Sequence, residues 1–363
     1  MARLGDYVNI KTGKLDANAS SENGAYPFFT CSVIPLKIDT YSYDCECVLV
    51  AGNGDLNVKY YNGKFDAYQR TYIIESKDKT VLSVPYVYCF LGKYVETLRK
   101  QSIGGVIKYI KLGNLTDAPI PIYDIKKQKE IVSKLDFIDS LITARREQLA
   151  KLDELVKSRF IELFGTIHDN KFGYEIKTLQ DVCEQIKDGT HQTPTYTDDT
   201  VNGYKFLSSK DVTTGIIDWN HLKYIPAELH KELYARIAPR KGDILLAKNG
   251  TTGIAAVVDR DEVFDIYVSL ALLRPIEINS VYLWVAINSL ETKQQFDSSL
   301  KGIGVPNLHL GEIKKARIIV PPIEEQTKFA AFVEQTDKSK LTIQESLAEL
   351  EILKKALMQK YFG

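Results

Sequence analysis

The sequence has no run of about 18 apolar residues, and its N-terminus, MARLGDYVNI, has no apolar stretch. Membrane-spanning helices need the first feature and secretory signals need the second, so we expect a cytoplasmic protein that does not contact the membrane. Cysteine is also sparse, and its odd, scattered set favours a reducing compartment and small core or surface thiols over a disulfide framework. These residues are Cys31, Cys45, Cys47, Cys89 and Cys183.

The chain also lacks an excess of charge of one sign, since 47 basic residues balance 47 acidic residues over 363 positions. Strong, indiscriminate nucleic-acid binders usually carry a basic excess. A nucleic-acid role would therefore require local basic loops on a neutral body, or partner subunits that supply much of the contact with the phosphate backbone. The length suits two or three domains, each with its own core.

Recognisable catalytic motifs are missing as well. An adenine methyltransferase needs a glycine-rich cofactor loop and an Asn/Asp-Pro-Pro-aromatic element, but Pro321-Pro322 follows Val320 and no cofactor loop is convincing. Gly63-Lys64 lacks the spaced glycine and the hydroxyl residue of a P-loop. We also see no convincing set of acidic residues and lysine for a nuclease. The sequence therefore predicts a protein that is not itself an enzyme.

Two glycine-containing segments and the histidines are also interpreted without a catalytic or metal site. Gly104-Gly105 and Gly302-Ile303-Gly304 each follow a predicted helix, which favours C-caps and turns over phosphate-binding loops. The histidines lack the spacing of metal ligands, so we expect no metal site. They are His168, His191, His221, His230 and His309.

The most informative feature of the chain is an internal repeat. Residues 112–165 match residues 310–363 without a gap, at a constant shift of 198 positions. Self-similarity over such a length determines the architecture. A duplicated chain without a duplicated catalytic motif typically presents two similar surfaces to a two-fold partner, of which duplex DNA is the commonest. Matching pairs include Leu112/Leu310, Gln128/Gln326, Asp139/Asp337 and Phe164-Gly165/Phe362-Gly363.

Each copy of the repeat predicts one long helix. Its apolar positions alternate in steps of four and three, which is the spacing of a heptad seam. About 40 residues at 1.5 Å each form a rod of roughly 60 Å. Asp124 can cap the first helix, Pro321-Pro322 precede the second, and a glycine closes each. Two such helices in one chain most simply pack antiparallel about a pseudo-dyad, with the chain ending close to where it began.

Further apolar residues lie off the two seams. They widen each stripe beyond what a two-stranded coiled coil buries. They suggest either packing against the domains or a docking face for another protein. These residues are Leu141, Leu155, Leu341 and Leu353.

The segments that precede the helices predict two similar mixed α/β domains. Each combines strands with one helix, over residues 84–101 in the first domain and 280–300 in the second. Residues 58–65 predict a β-hairpin with an Asn62-Gly63 turn. The domains share Ala-x-Asn-Gly at 51–54 and 247–250, and Phe-Asp-x-Tyr at 65–68 and 264–267.

On this duplicated frame, the chain resembles the specificity (S) subunits of type I restriction-modification systems. The resemblance covers nearly the whole chain, in the order target domain, helix, target domain, helix. The first helix departs from the usual pattern, because Tyr123-Asp124 stand where a proline pair is expected. The segments that carry the resemblance are Gly63 to Thr71, Lys187 to Pro194, Gly242 to Gly253, and Pro321 to Gln326.

The resemblance implies two target-recognition domains, 1–124 and 171–322, and two spacer helices, 125–165 and 323–363. The helices would form an antiparallel coiled coil, giving a pseudo-two-fold and circular layout. Each domain would read one half of a bipartite, asymmetric site in double-stranded DNA. The helices would set the half-site separation and dock two methyltransferase subunits, to which two motor-nuclease subunits can be added. This chain would hold no cofactor, because S-adenosylmethionine, ATP and Mg²⁺ would belong to the partner subunits.

Candidate DNA contacts follow from the chemistry of recognition. Bases are read by bidentate donors or acceptors on loops, and phosphates are bound by Lys, Arg, hydroxyls and loop amides. An exposed lysine is commonly only solvated, and an aromatic residue on a strand is often part of a core, so both interpretations stay open. The candidates are Tyr60, Tyr61, Lys64, Tyr68, Gln69, Arg70 and Lys108 in the first domain, and His191, Gln192, Thr193, Lys210, Lys248, Asn249, Thr251 and Thr252 in the second.

Two other functions remain open at this point. The chain could be the specificity subunit of a related methyltransferase-nuclease fusion system, or a coiled-coil adaptor whose two domains bind proteins. Unlike surfaces on like frames favour readers of DNA, because an adaptor has less reason to keep the frame and vary the loops.

Overall fold

The computed structural model describes residues 1–300 and 306–363. These residues form two compact units: unit 1 comprises Met1–Glu147 and Gln344–Gly363, and unit 2 comprises Gln148–Ile343. Both ends of the chain belong to unit 1. The predicted turn at Gly302-Ile303-Gly304 lies outside the described residues.

Unit 1 begins with short elements and continues with a sheet and a helix. In chain order its elements are β1 (Ala2–Arg3), α1 (Leu4–Tyr7), β2 (Val8–Thr12), β3 (Tyr26–Phe29), β4 (Leu36–Ile38), β5 (Tyr43–Ala51), β6 (Val58–Ala67), β7 (Thr71–Ser76), α2 (Val84–Gln101), α3 (Leu112–Thr116), β8 (Pro119–Ile120) and the first part of α4 (Ile125–Phe164). The last part of the helix α9 (Ile323–Phe362) completes it.

A six-stranded sheet of order β2-β7-β5-β6-β3-β4 forms the body of unit 1. Only β3 and β6 pair in parallel among these described strands; the other neighbours are antiparallel. Successive side chains of a strand point to opposite faces. In β5, Val48 and Val50 therefore pack against α2, whereas Cys47 and Leu49 join a second cluster around Phe65.

Unit 2 repeats this plan with one added helix. Its elements are the last part of α4, β9 (Glu175–Thr178), β10 (Cys183–Asp188), β11 (Tyr204–Leu207), β12 (Lys223–Ile225), α5 (Ala227–Arg236), β13 (Ile244–Ala247), β14 (Ala255–Val257), β15 (Phe264–Ile266), β16 (Leu270–Pro275), α6 (Ser280–Ile287), α7 (Leu290–Ser299), α8 (Leu310–Lys315), β17 (Arg317–Val320) and the first part of α9.

The sheets of the two units correspond strand by strand. Unit 2 has the orders β10-β16-β13-β14 and β12-β11-β15, with β11 and β15 parallel. Strands β10, β16, β13, β11 and β12 thus occupy the places of β2, β7, β5, β3 and β4. The long strand β6 corresponds to β14 and β15 together, so one continuous strand in unit 1 is two strands in unit 2.

The predicted hairpin at residues 58–65 is wrong. Asn62 and Gly63 lie inside β6, where they pair with Glu46 and Cys45 of β5. Gly63 has a φ of +137°, which L side chains rarely adopt. The residue therefore serves as a local irregularity in a long strand rather than as a turn, because β5 pairs with β6 on both sides of it.

The single helix predicted in the second domain is interrupted. The predicted helix over residues 280–300 is divided into α6 and α7 at Asn288 and Ser289. The Ser289 side chain accepts the backbone N–H of Thr292 at 3.3 Å, which caps α7. The predicted helix over 84–101 is α2, with the same bounds.

The two long helices pack antiparallel within each unit, which confirms the prediction there. In unit 1, Arg146 of α4 pairs with Glu351 of α9 at 2.8 Å, and Asp139, one heptad earlier, pairs with Lys354. In unit 2, Lys340 pairs with Asp153 at 2.7 Å. Lys340 and Lys354 occupy two polar positions in the heptad seam of α9, which runs Val333, Thr336, Lys340, Ile343, Leu347, Leu350, Lys354 and Leu357. Acidic partners on the facing helix pair with both lysines.

The helix ends follow the predicted caps. Asp124 accepts the backbone N–H of Lys127 at 2.9 Å, so it caps α4. At the other end, Gly165 has a φ of +73° and donates its N–H to Ile161 O at 2.8 Å. Gly363 donates in the same way to Gln359 O at 2.9 Å.

Two equivalent glutamines, one in each long helix, join that helix to the segment before α2 in unit 1 and before α6 in unit 2. Gln128, fully buried, accepts the N–H of Ser83 through Oε1 at 2.9 Å and donates to Val81 O at 2.7 Å. Gln326 accepts the N–H of Asn279 at 2.9 Å and donates to Pro321 O at 2.7 Å. We call these contacts the glutamine clamps.

Equivalent tyrosines stabilise the same junctions. Tyr86 of α2 donates its hydroxyl to Pro121 O at 2.9 Å, and Tyr282 of α6 donates to Ile319 O at 2.7 Å. The terminal phenylalanine of a long helix packs on each tyrosine, with ring centroids 5.2 Å apart for Phe362 on Tyr86 and 5.1 Å for Phe164 on Tyr282. The repeated Phe-Gly ending therefore has a packing role in both units.

Within residues 1–300 and 306–363, no helix is both long and apolar enough to cross a membrane. The same residues contain no cluster of three or more His, Cys, Asp or Glu side chains suited to a metal ion. The five cysteines are free thiols, and burial raises the pKa of Cys89 and of Cys183 to about 12. These thiols therefore stay protonated near neutral pH.

Candidate nucleic-acid interface

Loops converge at one edge of the sheet in each unit. In both units they follow matching strands: the loop after the first sheet strand, the loop after β3 or β11, the Ala-x-Asn-Gly loop, and the short link before β7 or β16. A segment that returns from the domain helix joins them. We call these sets the loop edges, which comprise residues 13–16, 30–35, 52–57, 68–70 and 103–110 in unit 1, and residues 189–194, 208–214, 248–254, 267–269 and 306–308 in unit 2.

Backbone hydrogen bonds hold the unit 1 loop edge together. Gly52 donates its N–H to Arg70 O at 2.8 Å, and Gly54 donates to Lys108 O at 2.9 Å. Gln69 donates to Leu15 O at 2.9 Å. Four of the loops are thereby fixed through their main chains, which leaves their side chains available for recognition.

The unit 2 loop edge has the same bonds at equivalent places. Lys248 donates its N–H to Ser269 O at 2.9 Å, and Gly250 donates to Pro306 O at 3.2 Å. Val268 donates to Thr190 O at 2.9 Å. The shift of 198 positions that relates the long helices therefore extends back to Lys108 and Pro306.

A glycine at the end of the first sheet strand is required in both units. A Cβ on Gly13 would lie 2.2 Å from Ala67 O, and a Cβ on Gly189 would lie 2.2 Å from Ile266 O. Backbone approaches this close exclude any side chain. Gly13 and Gly189 thus mark the same position in the two loop edges.

Most of the predicted contact residues lie on the loop edges. In unit 1, Gln69, Arg70 and Lys108 are exposed and Tyr68 is half-buried. In unit 2, the exposed candidates occupy the loop after β10, the loop after β11 and the Asn-Gly loop, and Asn249 and Thr252 are half-buried. The exposed unit 2 candidates are His191, Gln192, Thr193, Lys210 and Thr251.

Three candidates are not brought to the loop edge. Tyr60, Tyr61 and Lys64 were predicted to lie in a hairpin, but they lie within the continuous strand β6. The Tyr60 hydroxyl donates to Glu46 at 2.9 Å, and burial followed by this bond raises the pKa of Tyr60 to about 12. Lys64 lies over the ring of Tyr41, 4.7 Å from its centroid.

Lys248 lies on the unit 2 loop edge but is buried, with 5% of its surface exposed. Its Nζ lies 2.6 Å from Asp188 Oδ1, so its charge is paired inside the protein. The same Asp188 lies 3.6 Å, through Oδ2, from Nε2 of His191, whose side chain is 68% exposed. Burial thus distinguishes Lys248 from His191, although the sequence predicts both as DNA contacts.

The loop edges contain residues that the motifs did not reveal. In unit 1, the segment 103–109 closes on itself through paired backbone bonds between Ile103 and Tyr109, and its tip exposes Val106 fully and Ile107 by 63%. Lys14 follows Gly13 on the same edge. The Lys-x-Gly spacing at 11–13 and 187–189 could have indicated the equivalence, but it is a weak pattern alone.

Comparison with known proteins agrees with this architecture. Residues 1–154 and 172–352 match the family model described as type I restriction modification DNA specificity domain. The chain is 35% identical over 154 residues to the type I restriction enzyme EcoDI specificity subunit of Escherichia coli, an alignment that spans 42% of this chain but only 34% of that relative. It is 23% identical to the MjaVIII specificity subunit of Methanocaldococcus jannaschii, over 99% of this chain and 90% of the relative.

Solved structures share the fold. A type I restriction-modification S subunit from M. genitalium superposes with a TM-score of 0.64 at 17% identity, covering 100% of this chain and 95% of that one. A chain from a study of complex assembly and conformational transition in a type I restriction-modification system gives 0.60 at 18% identity, covering 99% and 96%. With two matched specificity domains on two similar sheets joined by repeated helices, the chain belongs to the type I restriction-modification specificity subunit family.

Proposed function

We propose that each loop edge reads one half of a bipartite, asymmetric site in double-stranded DNA. The observation that carries this proposal is that two equivalent backbone frames carry different side chains. Gln69 and Arg70 of unit 1 correspond to Val268 and Ser269 of unit 2, and Lys108 corresponds to Pro306. A bidentate donor such as Arg or Gln discriminates bases that Val or Ser cannot, so the two half-sites differ.

In this proposal the charge of the chain as a whole is not the source of affinity. Among the loop-edge residues that the structure describes, exposed cations are few: Lys14, Arg70 and Lys108 in unit 1 and Lys210 in unit 2. Contacts with phosphates supply much of the affinity for DNA. Partner subunits would therefore contribute a large part of the binding, and this chain would contribute mainly selectivity.

The long helices would set the separation of the half-sites and dock two methyltransferase subunits. Apolar side chains off the seams support this role, because Leu155, Leu341 and Leu353 are 47–57% exposed and exposed apolar stripes favour protein binding. Leu141, predicted with them, is half-buried. Methyl transfer to adenine from S-adenosylmethionine would take place in those partners, and motor-nuclease subunits using ATP and Mg²⁺ would add cleavage. This chain would be non-catalytic.

The test is to express the chain with a methyltransferase subunit of its own system and to map methylated adenines by single-molecule sequencing. We expect a bipartite asymmetric motif that disappears when this chain is omitted. The variant Gln69→Ala/Arg70→Ala should relax one half of the motif, and His191→Ala/Gln192→Ala should relax the other. Methylation that is the same without this chain would contradict the proposal.

A further inference from the structure

The buried ion pair on the unit 2 loop edge has no counterpart in unit 1. Lys248 and Asp188 have side chains that are 7% and 12% exposed, with Nζ and Oδ1 2.6 Å apart. The equivalent positions in unit 1 are Gly52 and Thr12, which cannot form an ion pair. The pair is therefore a property of one domain and not of the shared frame.

The ion pair joins the starting points of two loops. Asp188 is the last residue of β10, directly before the loop that carries His191 and Gln192, and Lys248 directly follows β13, before the Asn-Gly loop. A change in the separation of this pair would displace both loops. Their candidate contact residues would then lose their relative position.

A third residue fixes the same point from α5, the helix without a counterpart in unit 1. The guanidinium of Arg236 donates to Asp188 O at 3.2 Å and to Gly189 O at 3.4 Å. The backbone of Lys248 is itself bound on both sides, to Ser269 O at 2.9 Å and by the N–H of Leu308 at 2.8 Å. Hydrogen bonds to the main chain therefore hold both residues of the pair in place.

Stability alone does not explain such an arrangement. Burying two charges removes their hydration, and replacing a buried ion pair by apolar residues of similar volume is often neutral or stabilising. What an ion pair does supply is a preferred geometry. A lysine that binds phosphate, in contrast, needs its ammonium group exposed, which that of Lys248 is not.

We propose that Lys248, Asp188 and Arg236 are positioning residues for base discrimination by unit 2. They hold the His191 loop and the Asn-Gly loop in one relative geometry, and the buried pair of Lys248 and Asp188 does not itself contact DNA. This inference rests on the proposed DNA-reading function.

The test measures binding of the complex between this chain and its methyltransferase subunits to DNA duplexes. These duplexes contain the recognition motif that methylation mapping defines. Affinity is measured for the full site and for single base changes in either half, over a range of salt concentrations. For Lys248→Met we expect the penalty for base changes in the unit 2 half-site to fall by roughly 5- to 100-fold, the range of one good base contact. The penalty for changes in the other half-site, and the slope of log affinity against log salt, should stay as in the wild type.

Matched variants separate positioning from phosphate binding. Lys210 is an exposed lysine of the same loop edge, and a lysine that binds phosphate should, when replaced by Met, weaken all sites equally and lower the salt slope by about 1. Lys248→Arg keeps a cation and should retain discrimination. Arg236→Met removes the bonds to Asp188 O and Gly189 O and should likewise lower base discrimination in the unit 2 half-site.

The possible outcomes are distinct. If Lys248→Met lowers the salt slope by about 1 with an equal loss at every site, Lys248 contacts phosphate and the inference is overturned. Unchanged discrimination overturns it as well. Should the single variant not fold, Lys248→Met/Asp188→Leu removes both charges together and must still fold and lose discrimination. If the wild-type complex itself does not discriminate sites, the proposed function fails instead.

Discussion

At the residue scale, the two units use equivalent buried carboxylates differently. Asp66 of unit 1 accepts the hydroxyl of Ser42 at 2.6 Å. Asp265 of unit 2, 2% exposed, lies 2.7 Å from Nδ1 of His230, whose ring stacks on Tyr204 at 3.6 Å between centroids. Burial raises the pKa of Asp265 to about 6, although His230 opposes the shift.

This raised pKa predicts a pH dependence of unit 2 stability. An unfolded aspartate titrates at about 3.9, so between about pH 4 and 6 the folded protein binds more protons than the unfolded one. Its free energy of unfolding therefore falls as pH rises through that window. The difference between wild type and Asp265→Asn should change by at most about 3 kcal/mol.

The measurement can be confined to unit 2. Both tryptophans of the chain, Trp219 and Trp284, lie in that unit, so urea unfolding followed by tryptophan fluorescence reports it. Asp66→Asn is the matched control in unit 1. A wild-type transition that tracks Asp265→Asn at every pH from 4.5 to 7.5 would show that the carboxyl is not perturbed.

Residue types alone could not rank the candidate contacts. Lys248 and Lys210 are equally plausible in the sequence, and only burial shows that the first is paired internally while the second is exposed. For His191, Gln192 and Thr193 the structure provides exposure on a loop edge. Contact with DNA remains a prediction for them.

At the element scale, the heptad spacing predicted structure more accurately than the turn motifs did. The heptad seam and the caps predicted both long helices nearly to the residue, since α4 is Ile125–Phe164 and α9 is Ile323–Phe362. The turn predicted at Asn62-Gly63 does not form, because pairing with β5 overrides the local turn preference. Asn-Gly at 53–54, in contrast, does lie in a loop.

The glutamine clamps predict a local stability effect. Gln326→Leu leaves the N–H of the half-buried Asn279 at the start of α6 without its acceptor, and an unsatisfied N–H costs up to about 1–3 kcal/mol. The midpoint of the tryptophan-detected unfolding transition should therefore fall. Gln128→Leu makes the same change at Ser83 in unit 1 and should leave that midpoint in place. Equal shifts for the two variants would mean that the clamps do not act within their own units.

At the scale of the whole molecule, the duplication was clear in the sequence where the shift is constant and was only partly visible where the shift changes. Lys108 and Pro306 keep the shift of 198, but Gly13 and Gly189 are 176 positions apart. Helix α5 and its flanking loops lengthen unit 2 between β12 and β13, so alignment at one shift cannot match the sheets. Two short motifs, Ala-x-Asn-Gly and Phe-Asp-x-Tyr, were readable at shifts of 196 and 199, and strand pairing supplied the correspondence of the remaining strands.

The same equivalence predicts that one domain can be exchanged without the other. Replacing residues 1–124 by the matching domain of a relative with another target should change one half of the methylated motif and keep the second half. Replacing 171–322 should have the reciprocal effect. Methylome sequencing of both chimaeras measures this, and a change in both halves from either exchange would contradict independent reading.

The glutamine and tyrosine contacts recur at positions 198 or 196 residues apart, and this spacing has a genetic consequence. Recombination between the two copies at matching codons of α4 and α9 would delete or insert 198 residues in frame. Because the two copies match without a gap, the recombined helix would keep a clamp glutamine at its start and a Phe-Gly at its end. Gene rearrangement between the two copies would therefore change the number of domains and leave the glutamine clamp at each helix start intact, without further mutation.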